Sequence, residues 1–531
     1  MNISAKIKQD RQILLILALL TIVMGLMRSY TYDEPFERDI TTHAVIAHEL
    51  LNGKTLYEDI WSDRTPLIQW TYALGEVIMG YGLDSIYFLW ILSAFITLCG
   101  VYACAVQGGG RPVVGLWAAG FWVAVSCAPM VQANQPNAEV FINNCMIWVL
   151  ALILSDDGKG DGRTRAVVIG ILLSLGSFYK THVVLMAVLL GIAHIANPPG
   201  GIENRKRSIN QACITAGVGV LAWASLLVFM HLTDRFDVFW NAIYSYMRHY
   251  GGSISENLFR GMHPIGLMPN FLFGISPLIV LSVLGAGLSF KNHSTRTGTL
   301  YACYGFAVVL MVSLPGKFFP HYYQFWLPFL AICSAKTLEL IAFREEKNAS
   351  GIKFMGMAVI LLIFVLQSRY FLIPSKEWAR LKYGELFVET QQVGRVINDV
   401  LKPDETFFNW GLDSGLYFYS QKPIPSGAGI WLLIVMGGPL TSEFIPKIQE
   451  DLRSSDPELL IVSDYLPKRK HPLFQWLMER YEIFPDNSPY KPFEMYYRKG
   501  GALEKRIALN ESEKLKLKKR RMMNPALKER R

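Results

Sequence analysis

Eleven runs of apolar residues, each close to bilayer length, recur along the chain and leave little choice of fold class. They fall at 13–29, 86–106, 113–131, 138–154, 166–180, 182–197, 211–232, 267–290, 299–315, 322–340 and 354–373. A helix rises about 1.5 Å per residue, so roughly 20 apolar residues match the ~30 Å hydrocarbon core of a membrane. Backbone polar groups at that depth are satisfied only inside helices or closed barrels. With 51% hydrophobic residues over 531 positions, the expectation is a polytopic α-helical membrane protein with about 11 transmembrane helices. The first run follows Lys6, Lys8 and Arg11. No small-x-small cleavage pattern comes after it, so it reads as an anchor and not as a signal peptide.

The stretch PLIQWTYALGEVIMG (66–80) is apolar but short, and it carries Glu76. If it lies in the interface, the loops holding Arg111, Lys159, Arg163, Arg205, Lys206, Arg207, Arg296 and Lys353 all fall on the N-terminal side. The positive-inside rule then assigns that side to the cytoplasm. The loop 30–65, the turns at 132–138 and 316–321, the segment 233–265 and everything after 374 share the outer face.

Residues 374–500 change character. ETFFNWG (405–411), PELLIVSDY (457–465) and PFEMYYR (492–498) read as strands. Residues 377–401, 439–455 and 471–481 read as amphipathic helices. That alternation predicts a small α/β domain. The run IWLLIVM (430–436) is too short to span.

Of the net charge of +9, the tail 501–531 contributes +7, with eleven Lys/Arg against four Glu. The remainder is near neutral, which argues against nucleic acid as a partner. The tail reads as a solvated, disordered end, with contact to anionic lipid headgroups as the alternative. All seven cysteines lie in apolar runs and none follows 374. They read as small hydrophobes, without metal spacing or a disulfide framework.

Between the first two apolar runs the chain gathers Asp33, Glu34, Glu37, Asp39, Glu49, Glu58, Asp59 and Asp63. A connecting loop needs only to be short and polar, whereas this one is long, acidic, aromatic and helix-patterned. Apolar Ala44, Ile46, Ala47, Leu50 and Leu51 after Asp39 predict a surface-lying helix that fixes this carboxylate at the membrane boundary. Asp63 and Arg64 precede Pro66, which favours the start of the next helix.

These residues resemble those of bacterial membrane glycosyltransferases of the GT-C superfamily. The relatives meant are the dolichyl-phosphate-mannose protein mannosyltransferases of family 39, the aminoarabinose transferases and the lipid A core galacturonosyltransferases. The matching elements are Asp39, then Leu50-Leu51-Asn52-Gly53 with the Gly fourteen residues on, Leu56-Tyr57, Asp59, Trp61 and Asp63-Arg64-Thr65-Pro66. Further on come Pro136-Asn137-Ala138-Glu139, Gly176 to Lys180, Gly316-Lys317 to His321-Tyr322, and Leu327-Pro328. The family's Asp-Glu is Asp39-Ile40 here, a literal Asp33-Glu34 lies upstream, and the family's Lys-Pro-Pro is Arg64-Thr65-Pro66. Arg keeps the charge but is a planar fork where Lys is a point charge.

The resemblance implies a GT-C transmembrane catalytic domain over 1–373, with a first outer loop at 30–80 that carries an interfacial helix. It also implies an extracytoplasmic α/β domain over 374–500 and the tail after it. The implied activity is transfer of a sugar from a polyprenyl-phosphate donor to a glycan, lipid or protein acceptor outside the bacterial inner membrane. A carboxylate takes the proton of the attacking hydroxyl, and cations meet the charge developing on the phosphate. Asp39 and Asp63 are the catalytic candidates. Arg64, Glu139, Lys180, Lys317, His321 and Tyr322 are the substrate-binding candidates.

Each residue also has a plainer reading. Asp39 pairs with Arg38 or caps its helix, Asp63 and Glu139 satisfy helix N-termini, and Lys180 snorkels. Lys317 and His321 sit in an aromatic belt, and Asp33 and Glu34 are solvated loop charges. A divalent metal between Asp39, Asp63 and His321 is compatible with the resemblance, though no ligand spacing demands one. A transporter or flippase of a lipid-linked sugar is the competing function, but it calls for polar groups near the midplane and repeated halves. The acids here cluster in outer loops, and no repeat is visible.

Overall fold

The computed structural model describes residues 3–289, 295–344, 349–428, 441–463, 471–484 and 490–508. The chain divides into two compact units. One comprises Met1–Pro35 and Ser62–Lys382, and the other Phe36–Trp61 and Tyr383–Arg531. The loop that follows the first apolar run is therefore shared between them. Its middle, with Asp39, belongs to the second unit, and its end, with Asp63 and Arg64, belongs to the first.

The first unit is helical. Its elements include α1 (Ile3–Ser29), then α3 (Leu67–Met79), α4 (Leu83–Gln107), α5 (Pro112–Val125), α6 (Ala138–Leu154), α7 (Arg163–Tyr179), α8 (Val184–Ala196) and α9 (Arg205–Leu232). Later helices are Ser276–Ser289, Thr295–Ser313, Trp326–Arg344 and Ala349–Phe371. Each of the eleven apolar runs carries a helix. Among the described residues, four are long and apolar enough to cross a membrane: Asp10–Ser29, Leu83–Gln107, Ile202–Leu232 and Asn270–Leu288. Pro112–Val125, Ala138–Leu154, Thr181–Ala196 and Lys353–Ser368 are shorter apolar helices.

Leu14, Leu26, Val220, Leu221 and Leu232 are exposed on these helices, each at 66% or more. Such apolar walls suit hydrocarbon and not water. The stretch 66–80 forms α3, only 13 residues long and started by Pro66. About 20 Å of helix is too little to span.

Close approaches lock this bundle. A Cβ on Gly100 of α4 would meet Ile147 of α6 at 2.5 Å, while Trp148 of α6 donates to the Ile96 carbonyl at 3.1 Å. At the end of α1, buried Arg28 donates to the Ser126 carbonyl at 2.7 Å and lies 4.2 Å from the Trp90 ring.

The second unit holds α2 (Arg38–Leu51) and a four-stranded sheet. The strands are β1 (Phe407–Trp410), β2 (Leu459–Ser463), β3 (Tyr481–Ile483) and β4 (Phe493–Arg498), in the order β1-β2-β4-β3. β1 and β2 are parallel, with Asn409 opposite Ile461, and the other two pairs are antiparallel. All nine residues of β1 and β2 are buried, as continuous apolar strands covered on both faces require. Phe408, Trp410, Leu460, Val462, Leu473 and Leu477 form the core. The run 430–436 and most of the basic tail lie outside the described residues.

Candidate active site

Three segments of the first unit meet at the C-terminal end of α7. Lys180 ends that helix with extended backbone (φ −149°, ψ 125°), which turns its side chain out of the helical row. Glu139 lies in the first turn of α6, where Asn137 is the N-cap. The Lys180 Nζ is paired with Glu139 Oε1, and both side chains are under 10% exposed. The other carboxylate oxygen, Glu139 Oε2, is buried and accepts no hydrogen bond. A buried carboxylate left half-satisfied is costly and calls for a further partner.

Tyr322 supplies a wall. Its ring centroid is 4.6 Å from Lys180 Nζ, a cation–π geometry. The neighbouring His321 ring stacks edge-on at 4.7 Å. Its Nδ1 lies 2.9 Å from the Gln132 Oε1. Gln132 itself sits in a left-handed turn, and its carbonyl accepts from Gln324 at 2.9 Å. Asn143 of α6 donates to the Gln324 carbonyl at 3.0 Å. Those bonds tie the 3-10 turn at Pro320–Phe325 to α6 and place the histidine within the electrostatic reach of Glu139.

The start of α3 brings the third segment. Thr65 donates to the Phe178 carbonyl, Thr71 pairs with the Tyr179 hydroxyl at 2.7 Å, and Tyr72 donates to the Pro136 carbonyl at 2.9 Å. Asp63 and Arg64 are thereby held beside the end of α7. Arg64 Nε stands 3.7 Å from Asp63 Oδ1. Burial, with the Asp63 charge nearby, pushes the Tyr246 phenol upward. The Tyr246 ring is 6.1 Å from that of Tyr250, and Lys317 Nζ lies 4.2 Å from Tyr250. Lys317 is exposed. It follows Gly316, whose φ of +66° and closeness to Asn257 (2.2 Å from a notional Cβ) admit no side chain.

The structure thus brings Asp63, Arg64, Glu139, Lys180, His321 and Tyr322 into one region of the first unit, with Lys317 joined to it through two tyrosines. Asp39 lies in the other unit, half-buried in the first turn of α2. The helix is fixed there by Thr42, whose hydroxyl is 2.6 Å from that of Ser414. Arg38 faces Asp413 at 3.5 Å.

The sequence passed over His182. Its ring packs against Phe325, its Nε2 is buried without a partner, and it lies in the field of Lys180, Glu139 and Arg64. The only signal was its position two residues after Lys180.

Glu34, expected as a solvated loop charge, is fully buried. Its carboxylate pairs with Lys382 and accepts from Asn134 and Gln135. Asp33 is exposed, as expected. Among the described residues, no group of three or more His, Cys, Asp or Glu is arranged to hold a metal. All seven cysteines are free.

No family model matches the sequence, and no curated protein matches it. Solved structures do match. ArnT from Cupriavidus metallidurans bound to undecaprenyl phosphate superposes with a TM-score of 0.60 at 16% identity, over 91% of this chain and 97% of that one. Its apo state gives 0.58 at 15%, over 92% and 98%. The Archaeoglobus fulgidus oligosaccharyltransferase AglB, in complex with an inhibitory peptide and a dolichol-phosphate, gives 0.51 at 11%, over 86% and 70%. At such identities the likeness is one of fold. The chain shares its overall fold with these ArnT and AglB structures.

Proposed function

We propose that this chain is an integral-membrane glycosyltransferase that moves a sugar from a polyprenyl-phosphate donor to an acceptor hydroxyl on the extracytoplasmic face of a bacterial inner membrane. The observation that carries this reading is the buried Glu139–Lys180 pair, with Arg64, His321 and Tyr322 around it. It belongs to a fold shared with a protein that binds undecaprenyl phosphate.

The donor phosphate sits against Lys180 and Arg64, with Lys317 and His321 completing the wall. Glu139 holds Lys180 in place until the phosphate competes for it. The acceptor oxygen forms a bond to the anomeric carbon as the bond from that carbon to the phosphate oxygen breaks. The electron pair leaves with the phosphate, where fixed cations stabilise it. Asp39 takes the hydroxyl proton, and Asp63 is the second carboxylate of the site. A well-placed base contributes roughly 10²–10⁴-fold.

The test is substitution of Asp39, with Asp33 as the control, in purified protein. Asp39→Asn is expected to lower transfer by roughly 10²–10⁴-fold, while the exposed Asp33→Asn keeps most of it. A folded Asp39→Asn protein with wild-type turnover removes Asp39 from this role.

A further inference from the structure

At the other end of α7 the first unit contains a second place where positive charge meets an apolar hollow. A cavity of about 540 Å³ opens between α7, α8 and α9. Its walls are aliphatic, with Ile169, Leu173, Val184, Val188 and Val220 along it and Trp223 towards the end near Lys180. Trp223 donates to Ser177 at 2.9 Å, so the hollow follows α7 from Arg165 to Ser177. That is about 18 Å of helix, on the order of one leaflet of a ~30 Å hydrocarbon core.

Arg165 lines one end of it, and Arg207 and Arg296 stand against the lining residues Asp156, Ile153 and His194. Arg207 makes paired hydrogen bonds to Asp156 at 3.0 and 2.8 Å. Arg165 Nη1 approaches the same carboxylate at 2.7 Å, yet it is buried without a hydrogen bond of good geometry. Arg296 donates to the Ile153 carbonyl at 3.0 Å and lies 3.2 Å from His194 Nδ1. His194 and Gln211 pair at 2.8 Å behind them. Asp156 serves Arg165 and Arg207, while Arg296 donates to the Ile153 and Asn197 carbonyls, so among these four side chains positive charge exceeds negative by two at one end of a greasy slot. Arginine forks of this kind match phosphate geometry. Basic pockets between helices on the cytoplasmic side are known to hold anionic lipid headgroups.

We infer that this cavity is a binding site for one anionic phospholipid, its phosphate on Arg165 and Arg296 and an acyl chain between α7, α8 and α9. Arg165 and Lys180 stand about 22 Å apart along one helix, so this site is distinct from the one that would take the donor phosphate. A polyprenyl chain, several times longer than the slot, fits it poorly.

The experiment is native mass spectrometry of the delipidated full-length protein titrated with phosphatidylglycerol, phosphatidylcholine of the same chains, or undecaprenyl phosphate. Phosphatidylglycerol is expected to be retained about tenfold more than phosphatidylcholine, because both present a phosphate but the quaternary ammonium of choline is repelled by the excess guanidinium charge. The double variant Arg165→Gln/Arg296→Gln should erase that preference. Val188→Trp, which fills the slot without altering charge, should lower phosphatidylglycerol retention by a similar factor, and it decides the matter if the arginine variant does not fold. Equal retention of the two phospholipids by wild-type protein, unchanged retention in Val188→Trp, or displacement of phosphatidylglycerol by equimolar undecaprenyl phosphate would each overturn the assignment.

Discussion

The first unit buries two acid–lysine pairs, and they are finished differently. In the Glu34–Lys382 pair both carboxylate oxygens are occupied: Oε1 by Lys382 and Gln135, Oε2 by Asn134. Lys382 also donates to the Asn134 side-chain oxygen at 3.1 Å. In the Glu139–Lys180 pair one carboxylate oxygen has no hydrogen bond, the lysine rests on an aromatic face, and two histidines lie in the same field. A closed network rigidifies, whereas an open one retains capacity for something else. The comparison assigns the first pair to holding residues 30–35 against the end of the unit, and the second to meeting a ligand.

Breaking the closed pair should have the larger energetic effect. Removing one partner of a buried pair leaves an uncompensated charge and costs roughly 3–5 kcal/mol. Lys382→Met should therefore lower the unfolding midpoint sharply in detergent, while transfer per folded molecule stays within about threefold. A variant with normal stability would show that the pair is not structural.

The open pair should behave the other way. On the proposed function, Lys180→Met should remove a charge-assisted contact to the donor phosphate, on the order of 1.5–3 kcal/mol, and lower kcat/KM for the polyprenyl-phosphate sugar roughly 10- to 100-fold. Unchanged KM and kcat would reduce Lys180 to an anchor at the interface. A smaller step comes from the ring beneath it. Tyr322→Leu takes away a cation–π contact of about 0.5–2 kcal/mol. Donor KM should rise several-fold, and Tyr322→Phe should restore it, because the ring and not the hydroxyl makes the contact.

The smallest expected effect concerns a carboxylate of a third kind, Asp156. Burial alone would raise it, but the Arg207 hydrogen bonds, the Gly158 N–H and the charge of Arg165 win and hold it down at about 2. Its folded value is depressed, so its stabilisation is present above the ordinary aspartate value and is lost as pH falls from about 3.8 towards 2. Because the arginines that hold it are partly exposed, its contribution is at most about 1 kcal/mol. Thermal unfolding of wild type and Asp156→Asn across that window should converge at the acid end. Parallel curves would contradict the assignment.

What the sequence disclosed follows from what is local. Every apolar run carries a helix, because run length and composition are properties of a single segment. Three strands, at Phe407–Trp410, Leu459–Ser463 and Phe493–Arg498, fall inside the segments 405–411, 457–465 and 492–498 that read as strands. The three-residue strand at Tyr481–Ile483 and the short helix at Gly415–Ser420 were too brief to leave a pattern. Glu34 was misread because its partner is 348 positions away, in a segment that reads as the start of a soluble domain. Its burial is a tertiary fact with no local trace. Glu139, Lys180, His321 and Tyr322 were picked out through motif order. Their meeting at one end of α7 depends on amide and hydroxyl bonds from Gln132, Asn143 and Gln324 that no motif announced. His182 shares their surroundings and carried no motif of its own.

The central claim, lipid-linked glycosyl transfer, meets its most direct test in purified protein in nanodiscs given a polyprenyl-phosphate donor labelled in the sugar, with candidate glycan, lipid A and protein acceptors. The account predicts that label moves covalently to one acceptor class with stoichiometric release of polyprenyl phosphate, and that Glu139→Gln and Lys180→Met suppress both together. Label that stays on its carrier while the intact donor changes leaflet would contradict it and make the protein a flippase.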